Sequence, residues 1–368
     1  MAVRIAIVGL GNCASSLVQG LSYYRRLPAT EGDVPGLMHV DIGGIKVGDI
    51  HLACAFDIDQ RKIGQRVGRA VFSSPNNSRV FCPEPEDQNA MVFPGALLDG
   101  VAGHTAQFGE GQRAVADTAC RNVTRQEIVK TLRATEAGVL VNYLPVGSQQ
   151  ATEFYAQACL DAGVALVNCI PVFIASDAGW QRRFAAAKLP LVGDDVKSQF
   201  GATIIHRMLV NLAVQRGIAV DSTYQLNVGG NADFLNMLEK SRLASKKISK
   251  TEAVTSEDAS ITPENIHIGP SDYIAFLRDN KVCYVRMNAR GFGGLPMELD
   301  LKLSVEDSPN SAGVVVDAVR CAALAQQLGI GGPLVEVCAA LMKHPPQQMP
   351  DTVASRRMDD WITQVYSG

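Results

Sequence analysis

Two lysines in the middle of this 368-residue sequence have the type and spacing that acid-base and electrostatic chemistry requires. Residues 245–250 read Ser-Lys-Lys-Ile-Ser-Lys, so Lys246 and Lys250 are four positions apart and share one face of any helix formed there. Ammonium groups preorganised in a cleft stabilise negative charge on reacting oxygens. The alternative is a solvated basic face, which is the usual role of such a run.

A polar, glycine-rich loop precedes these lysines. Residues 227–233 read Asn-Val-Gly-Gly-Asn-Ala-Asp and follow a predicted strand. Such a loop could present the Asn231 amide and the Asp233 carboxylate to a cleft. An ordinary turn with Asx hydrogen bonding is the alternative.

A second polar segment has the features of a phosphate cradle. Residues 193–203 place acidic residues before Ser198 and Gly201, where a helix is predicted to begin. The free N–H groups and the dipole of a helix N-terminus bind anions. Asp195 could instead cap that helix.

The N-terminal segment matches a dinucleotide-binding turn. Gly9-x-Gly11-x-x-Ala14 follows a predicted strand at 3–8 and opens a helix. Gly9 permits the tight turn, Gly11 allows close approach of a pyrophosphate, and Ala14 allows close packing of helix on strand. A tight strand-to-helix turn without a ligand is the alternative.

Asp57 ends the second predicted strand, at 51–56. A carboxylate there can accept from both ribose hydroxyls, which favours NAD over NADP because a 2′-phosphate would be repelled. The spacing from Gly11 to Asp57 is about twice the usual ~20 residues, and we attribute the excess to an insertion at 27–50. A helix N-cap is the alternative role for Asp57.

The elements that would position these residues alternate between strand and helix in the first half of the chain. Strands are predicted at 3–8, 51–56, 137–143, 164–167 and 191–192, and helical spacing at 15–21 and 149–162. Between 73 and 112 the mixture of Pro, Gly, Asn and Asp predicts long loops. This order predicts an α/β fold with a Rossmann-type, doubly wound parallel sheet.

The pattern changes after about Gly201. A helix is predicted at 202–216, strands of an open antiparallel sheet at 223–228, 282–287 and 299–305, a long helix at 311–328 and a second helix ending at Lys343. We therefore predict an NAD-binding domain at 1–200, an α+β domain at 201–308, and a C-terminal helical segment at 309–368 that packs back on the first domain. The first domain is then discontinuous.

Composition excludes several other classes of protein. Lys plus Arg total 34 against 37 for Asp plus Glu, so the net charge of −3 favours neither nucleic acid nor a membrane surface as partner. The nine cysteines are scattered singly, which is typical of reduced thiols. The sequence has no P-loop lysine, no G-x-S-x-G motif and no apolar run of the ~18 residues needed to span a bilayer. We expect a cytoplasmic protein.

Several motifs in order resemble the myo-inositol-1-phosphate synthase family. They are Gly-Asp-Asp-x-Lys-Ser at 193–198, Asn-x-Gly-Gly-Asn-x-Asp at 227–233, Ser-Lys-x-Ile-Ser-Lys at 245–250, Glu-Asp-Ser-Pro-Asn-Ser-Ala at 306–312 and Leu-Met-Lys-x-Pro-Pro at 341–346. Asn-Cys-Ala-Ser-Ser after Gly11 and Pro-Gly-Leu-Met-His at 35–39 resemble its shorter, actinobacterial-like branch. The resemblance covers nearly the whole chain.

This resemblance implies an isomerising cyclase that uses NAD without net redox. Glucose 6-phosphate would be oxidised at carbon 5, enolised at carbon 6, closed on the carbon-1 aldehyde and reduced again, as the first step of inositol and inositol phospholipid synthesis. The family also implies a homotetramer formed through the sheet of the second domain. It further implies a monovalent or divalent cation, whose ligands the sequence does not identify.

The resemblance also assigns residue roles. Lys246 is the expected acid-base group at the carbon-5 hydroxyl, and Lys343 its partner on the carbonyl and aldehyde oxygens. Asp195 and Asp307 would orient the lysines. The expected substrate-binding residues are Ser198, Gln199, Gly201, Asn231, Lys250 and Lys281. The expected cofactor-binding residues are Gly9, Gly11, Asn12, Cys13, Asp57, Asn76, Asn77, Tyr143, Tyr155, Lys197, Ser198 and Asp233.

Three alternatives stay open. Lys281 matches the family only through Asp279-x-Lys281, so a surface lysine is possible there. The chain could be an NAD-dependent dehydrogenase of the homoserine or semialdehyde type, which would produce NADH. It could also be a non-catalytic NAD-binding sensor, in which Lys246 and Lys343 would be replaceable.

Overall fold

The computed structural model describes residues 2–27, 34–87, 89–239, 242 and 261–367. Lys246 and Lys250, which the sequence predicts as a catalytic cluster, lie outside the described residues. Within those ranges, no helix has the length and apolar character required to cross a bilayer.

Strands in the described part of the chain form two large sheets and one small hairpin. In chain order they are β1 (Val3–Val8), β2 (Asp41–Ile42), β3 (Ile45–Lys46), β4 (Ile50–Asp57), β5 (Val92–Pro94), β6 (Val139–Asn142), β7 (Ala165–Asn168), β8 (Pro190–Val192), β9 (Ala219–Gly229), β10 (Ile266–Tyr273), β11 (Asn280–Arg290), β12 (Pro296–Glu306) and β13 (Gly332–Pro333). The helices are α1 (Asn12–Arg26), α2 (Val67–Ala70), α3 (Arg125–Ala134), α4 (Gln149–Ala162), α5 (Ala178–Ala186), α6 (Ala202–Gln215), α7 (Ala232–Asn236), α8 (Asp307–Gln327), α9 (Val335–Leu341) and α10 (Asp351–Ser367).

The first sheet has seven parallel strands in the order β13-β8-β7-β6-β1-β4-β5. Apolar residues of α1, α8, α9 and α10 cover one face, and those of α3, α4 and α5 cover the other. The strand order reverses between β1 and β6, and ligands of such sheets bind at the carboxyl ends of the strands beside that reversal. The predicted doubly wound sheet is confirmed.

Two strands of this sheet were missed. Strand β5 lies within the segment 73–112, where the sequence predicts only loops, and β13 has just two residues after a glycine run. Both are edge strands, so they are formed by pairing with a neighbour rather than by a recognisable pattern of their own.

The second sheet has four strands in the order β10-β9-β11-β12. Strand β10 runs parallel to β9, whereas the pairs β9–β11 and β11–β12 are antiparallel. The predicted antiparallel sheet is therefore wrong in one respect, because the sheet is mixed and β10 was not expected. Gly269 and Pro270 interrupt the apolar pattern of that strand and conceal it.

Helix α8 connects the two sheets. It starts at Asp307, directly after β12 and four residues before the predicted start at 311, and then runs beneath β1, β6, β7 and β8. Every residue from Ser311 to Ala325 is buried. The C-terminal part of the chain thus returns to the first sheet, and the division into three domains stays a prediction.

Candidate active site

A cleft of about 300 Å³ lies at the carboxyl ends of the parallel strands, between the two sheets. It brings together residues from distant parts of the sequence. The predicted site residues that line it are Gly9, Gly11, Asn12, Cys13, Asp57, Asn76, Tyr143, Tyr155, Asp195, Ser198, Gly201, Asn231, Asp233, Lys281, Asp307 and Lys343.

The glycine turn has the geometry that a dinucleotide requires. Gly9 has φ +83°, and a Cβ there would lie 2.6 Å from the Tyr143 carbonyl oxygen, so only glycine fits. A Cβ added to Gly11 would meet no atom within 4 Å, so the space before the turn is open. Helix α1 begins at Asn12 and directs its N-terminus at that space.

Asp57 holds this turn in place. Its Oδ2 accepts the Leu10 N–H at 2.7 Å, and its Oδ1 accepts the Asp59 N–H at 2.8 Å. The alternative role as a helix N-cap is not found, because the next α-helix begins only at Val67. Asp57 lies beside the turn at the end of β4, where a ribose would bind.

The loop after α2 packs over the same turn. Asn77 and Asn12 exchange two hydrogen bonds: the Asn12 amide donates to Asn77 Oδ1 at 2.7 Å, and the Asn77 backbone N–H donates to Asn12 Oδ1 at 2.8 Å. Asn76 Nδ2 donates to the Leu10 carbonyl at 3.0 Å. Asn76 therefore lines the cleft beside the glycine turn, and Asn77 contacts that turn through Asn12.

Tyr143 follows β6 and has a buried hydroxyl with no hydrogen-bond partner among the described residues. Burial raises its pKa well above the usual value, so the phenol is neutral at pH 7. A buried hydroxyl without a partner is costly, and a ligand in the cleft would satisfy it. The open space at Gly11 and this hydroxyl both fit a bound dinucleotide.

Cys13 and Tyr155 are inert at neutral pH. Burial, followed by the charges of Asp279 and Asp307, raises the pKa of the Cys13 thiol to about 12, so no thiolate nucleophile forms there. The Tyr155 ring lies in the core, and its hydroxyl accepts the Ala96 N–H at 3.1 Å. Tyr155 thus supports the wall of the cleft.

Lys343 is held by the segment that carries Asp195. Its ammonium donates to Asp195 Oδ1 at 3.1 Å and to the Val196 carbonyl at 2.6 Å. Asp195 is only 4% exposed. It does not cap α6, because the N-cap of that helix is Gly201 without a side-chain hydrogen bond. Asp195 thus orients the Lys343 ammonium, and the catalytic roles of the two residues stay predictions.

Lys281 forms a second pair of this kind. Its ammonium lies 3.2 Å from Asp307 Oδ1 and lines the cleft, so it is not a surface lysine. Burial alone would lower the pKa of Lys281, but Asp307 raises it above its usual value. The group is therefore a fixed positive charge at neutral pH.

Asp279, which no sequence motif predicts as a site residue, is 1% exposed and joins three segments. Its Oδ1 accepts from Asn12 Nδ2 at 3.1 Å, Asn231 Nδ2 at 3.1 Å and Ser308 Oγ at 2.8 Å. Burial and the charge of Asp307 raise its pKa to about 6. Asp279 thus connects the glycine turn with the second sheet and with α8.

Asn231 forms the Asx turn and also lies at the cleft. Its Oδ1 caps the short helix α7 by accepting the N–H groups of Asp233 and Phe234 at 3.1 and 3.2 Å. It also lines the cleft next to Asp233. The Asx turn and the site therefore coexist.

Ser198 and Gly201 lie where α6 begins, and Ala202, Thr203 and Ile204 of its first turn also line the cleft. The N-terminus of this 14-residue helix has no side-chain cap, which leaves its N–H groups for an anion. This arrangement suits a phosphate group.

Two predicted residues point away from the cleft. The Lys197 ammonium donates to the Ala339 carbonyl and to Asp351 Oδ1, each at 2.8 Å. Gln199 Nε2 donates to the Gly36 carbonyl at 2.9 Å. Their predicted roles in cofactor and substrate binding are therefore corrected, because side chains alternate in direction along extended chain and Ser198 takes the side that faces the cleft.

No metal site can be assigned within the described ranges. There, no three side chains among His, Cys, Asp and Glu are grouped as a metal centre requires. The ligands of the expected cation are not identified.

Comparison with known proteins shows which family the sequence resembles. The family model described as myo-inositol-1-phosphate synthase matches residues 201–308. Inositol-3-phosphate synthase of Mycolicibacterium smegmatis is 50% identical over 365 residues, which cover 98% of each sequence. The enzyme of the same name from Mycobacterium tuberculosis is 49% identical over 361 residues, 98% of this chain and 95% of that one.

The chain is also similar to a solved structure along its whole length. The crystal structure of Ari2 superimposes with a TM-score of 0.80 at 34% identity, covering 100% of this chain and 99% of that one. Identity and coverage of this extent establish membership. The chain, with its glycine turn and paired lysines in one cleft, belongs to the myo-inositol-1-phosphate synthase family.

Proposed function

We propose that the protein converts D-glucose 6-phosphate to 1D-myo-inositol 3-phosphate, also named L-myo-inositol 1-phosphate. One observation carries the proposal: a dinucleotide turn and two ammonium groups, each paired with a carboxylate, line the same cleft. The names of relatives about 50% identical over nearly the whole chain support the same reaction.

NAD would bind at the end of the cleft formed by Gly9, Gly11, Asn12 and Asp57, with Asn76 and Asn77 above the turn. When bound there, NAD would supply reversible hydride acceptance at carbon 5. The turn offers N–H groups to the pyrophosphate, and Asp57 would accept from the ribose. The side chains of the protein would transfer protons to and from the sugar and stabilise negative charge on it.

The phosphate of the substrate would bind at Ser198 and the first turn of α6. Lys281, held protonated by Asp307, would stabilise negative charge on the phosphate and on the enolate oxygen. Lys343 would hydrogen-bond to the carbonyl and aldehyde oxygens and donate a proton to the alkoxide formed when the ring closes. Lys246 is the proposed acid-base group at the carbon-5 hydroxyl, and Lys250 a proposed phosphate ligand.

The test is turnover with glucose 6-phosphate and a trace of NAD. An inositol monophosphate should accumulate, detected as phosphate released by periodate, while absorbance at the NADH wavelength stays constant. NADH formed in step with product would indicate the dehydrogenase alternative instead. NAD binding without any turnover would indicate the sensor.

Three further properties are proposed with this function. No disulfide joins the nine cysteines in the described part of the chain, which supports a reducing, cytoplasmic compartment. Exposed apolar side chains on the second sheet, among them Tyr224, Tyr284 and Met297, support assembly into a homotetramer through that sheet. A monovalent or divalent cation is proposed from the family, and no proton step above depends on it.

A further inference from the structure

Leu10, in the middle of the glycine turn, is hydrogen-bonded to side chains through both its N–H and its carbonyl. Asp57 Oδ2 accepts its N–H at 2.7 Å. Its carbonyl accepts from Lys62 Nζ at 2.8 Å and from Asn76 Nδ2 at 3.0 Å. Three side chains from two other segments therefore fix the two peptide groups that flank Leu10: Asp57 holds the Gly9–Leu10 peptide, and Lys62 and Asn76 hold the Leu10–Gly11 peptide.

Lys62 is an unusual member of this group, because it is 3% exposed. Its ammonium has acceptors at the Leu10 carbonyl and at Asn76 Oδ1, 3.1 Å away, and lies 3.8 Å from Asp57 Oδ2. A lysine is seldom buried unless its charge is matched in this way. It also lines the cofactor end of the cleft.

The contact has a consequence for anion binding. A carbonyl oxygen that faced the pyrophosphate would repel it, whereas a carbonyl bound by an ammonium group keeps its orientation and leaves N–H groups toward the ligand. The same ammonium places a positive charge beside Asp57. The Asp57 carboxylate then opposes a negative group bound near the ribose.

We propose that Lys62 is a positioning residue of the dinucleotide site, which fixes the Leu10–Gly11 peptide for pyrophosphate binding and supplies the positive charge that Asp57 offsets. This inference rests on the proposed use of NAD. Its test measures nucleotide binding directly, so it stands apart from whether inositol phosphate is formed.

The first experiment measures NAD affinity by titration calorimetry on protein freed of nucleotide with charcoal. Lys62→Met should weaken NAD binding at least tenfold, because hydrogen bonds from a charged donor are lost. KM for NAD should rise by a similar factor, with KM for glucose 6-phosphate and kcat at saturating NAD unchanged. Lys130→Met, the same change on the exposed face of α3, is the matched control and should bind like the parent protein. Unchanged NAD affinity in a folded Lys62→Met protein overturns the proposal.

The second experiment tests whether Lys62 supplies the positive charge beside Asp57. It does not depend on the stability of the single variant Lys62→Met. Asp57→Asn removes the offsetting carboxylate and should raise NADP affinity at least fivefold. In the double variant Asp57→Asn with Lys62→Met, no buried charge is left unpaired, and the gain in NADP affinity should disappear. Equal NADP affinity of the single and double variants contradicts the assignment of the positive charge to Lys62.

Discussion

The ammonium of Lys343 lies 3.1 Å from the carboxylate of Asp195, although the two residues are 148 positions apart in the sequence. A short antiparallel pairing makes the contact possible: the Lys343 N–H donates to the Asp195 carbonyl at 2.7 Å, and the Lys197 N–H donates to the Leu341 carbonyl at 2.9 Å. The lysine is therefore fixed by its backbone as well as by its charge, opposite the start of α6.

Removing this ammonium should stop catalysis without emptying the cofactor site. Lys343→Met should lower kcat by about 100-fold to 1,000-fold, the usual loss when a preorganised donor to a developing oxyanion is removed. Asp195→Asn, which keeps the shape, should cost less. The measurement is periodate-released phosphate, with NAD affinity recorded beside it. Near-normal turnover of Lys343→Met would remove Lys343 from the mechanism.

Tyr143→Phe tests whether the buried hydroxyl serves a ligand. Without NAD or substrate, the variant should be as stable as the parent protein or more stable, because a hydroxyl without a partner among the described residues is removed. With ligand, it should bind about tenfold more weakly, a cost of about 1.4 kcal/mol. Thermal unfolding with and without NAD and sugar phosphate separates the two effects. A loss of stability in the free protein would show that the hydroxyl has a structural partner.

Gly9→Ala should abolish cofactor binding. The alanine would adopt φ +83° with its Cβ 2.6 Å from the Tyr143 carbonyl, so the turn must move. We expect no measurable NAD binding by calorimetry and a lower melting temperature. Gly163→Ala is the matched control, since Gly163 also has positive φ, at +80°, but no atom lies within 4 Å of its added Cβ. If both variants bound NAD equally well, the close approach to Tyr143 would not matter.

The contact of Asp351 with the buried cations should matter greatly for stability. Asp351 accepts from Lys197 Nζ at 2.8 Å and from Arg207 Nε at 2.6 Å, and Arg207 is 0% exposed. Asp351→Ala should lower the free energy of unfolding by about 3–5 kcal/mol, because buried cations lose their partner. Urea unfolding measures this loss.

The control for Asp351 is an ion pair on the surface. Asp161 accepts from Arg125 at 2.7 Å, but their side chains are 35% and 44% exposed. Asp161→Ala should therefore cost about 1 kcal/mol or less. Equal losses in the two variants would contradict the burial argument.

His206 should make the fold sensitive to acid. It is fully buried between Thr223 Oγ1, at 2.7 Å, and Gln225, and burial lowers its pKa to about 4. The unfolded chain takes up a proton below about pH 6.5, whereas the folded imidazole stays neutral. The stability contribution is therefore complete above pH 6.5 and is lost as the pH falls toward 4, by about 2 kcal/mol at pH 5.

The variant His206→Asn isolates this effect from that of the buried carboxyls. Between pH 7 and pH 5, its free energy of unfolding should fall by about 2 kcal/mol less than that of the parent protein. Urea unfolding at the two pH values gives the comparison. Identical pH dependence of both proteins would mean that His206 takes up its proton over the same pH range in the folded and unfolded states.

Local patterns predicted the parts of the fold that local chemistry determines. The turn at Gly9 and the bounds of α4 follow from steric demands and apolar spacing within a few residues. Strands β5, β10 and β13 were missed because each depends on a neighbouring strand rather than on its own residues.

The same limit applies to the site. Asp279 is hydrogen-bonded to Asn12, 267 positions away in the sequence, and Lys62 to Leu10, 52 positions away. No short motif therefore predicts either contact. The roles of Lys197 and Gln199 were wrong because a motif gives the order of residues but not the side of the chain on which each lies. Lys246 and Lys250 stay predictions.

Helix α8 restricts the motions by which a ligand could enter or leave the cleft. Its first residue, Asp307, accepts a hydrogen bond from Lys281, while the remainder of the helix packs under the parallel strands. Swinging the two sheets apart would move Asp307 and Lys281 away from the glycine turn. We therefore expect a ligand to enter and leave by displacement of surface loops such as the one carrying Leu98 and Gln112, rather than by hinge bending between the sheets.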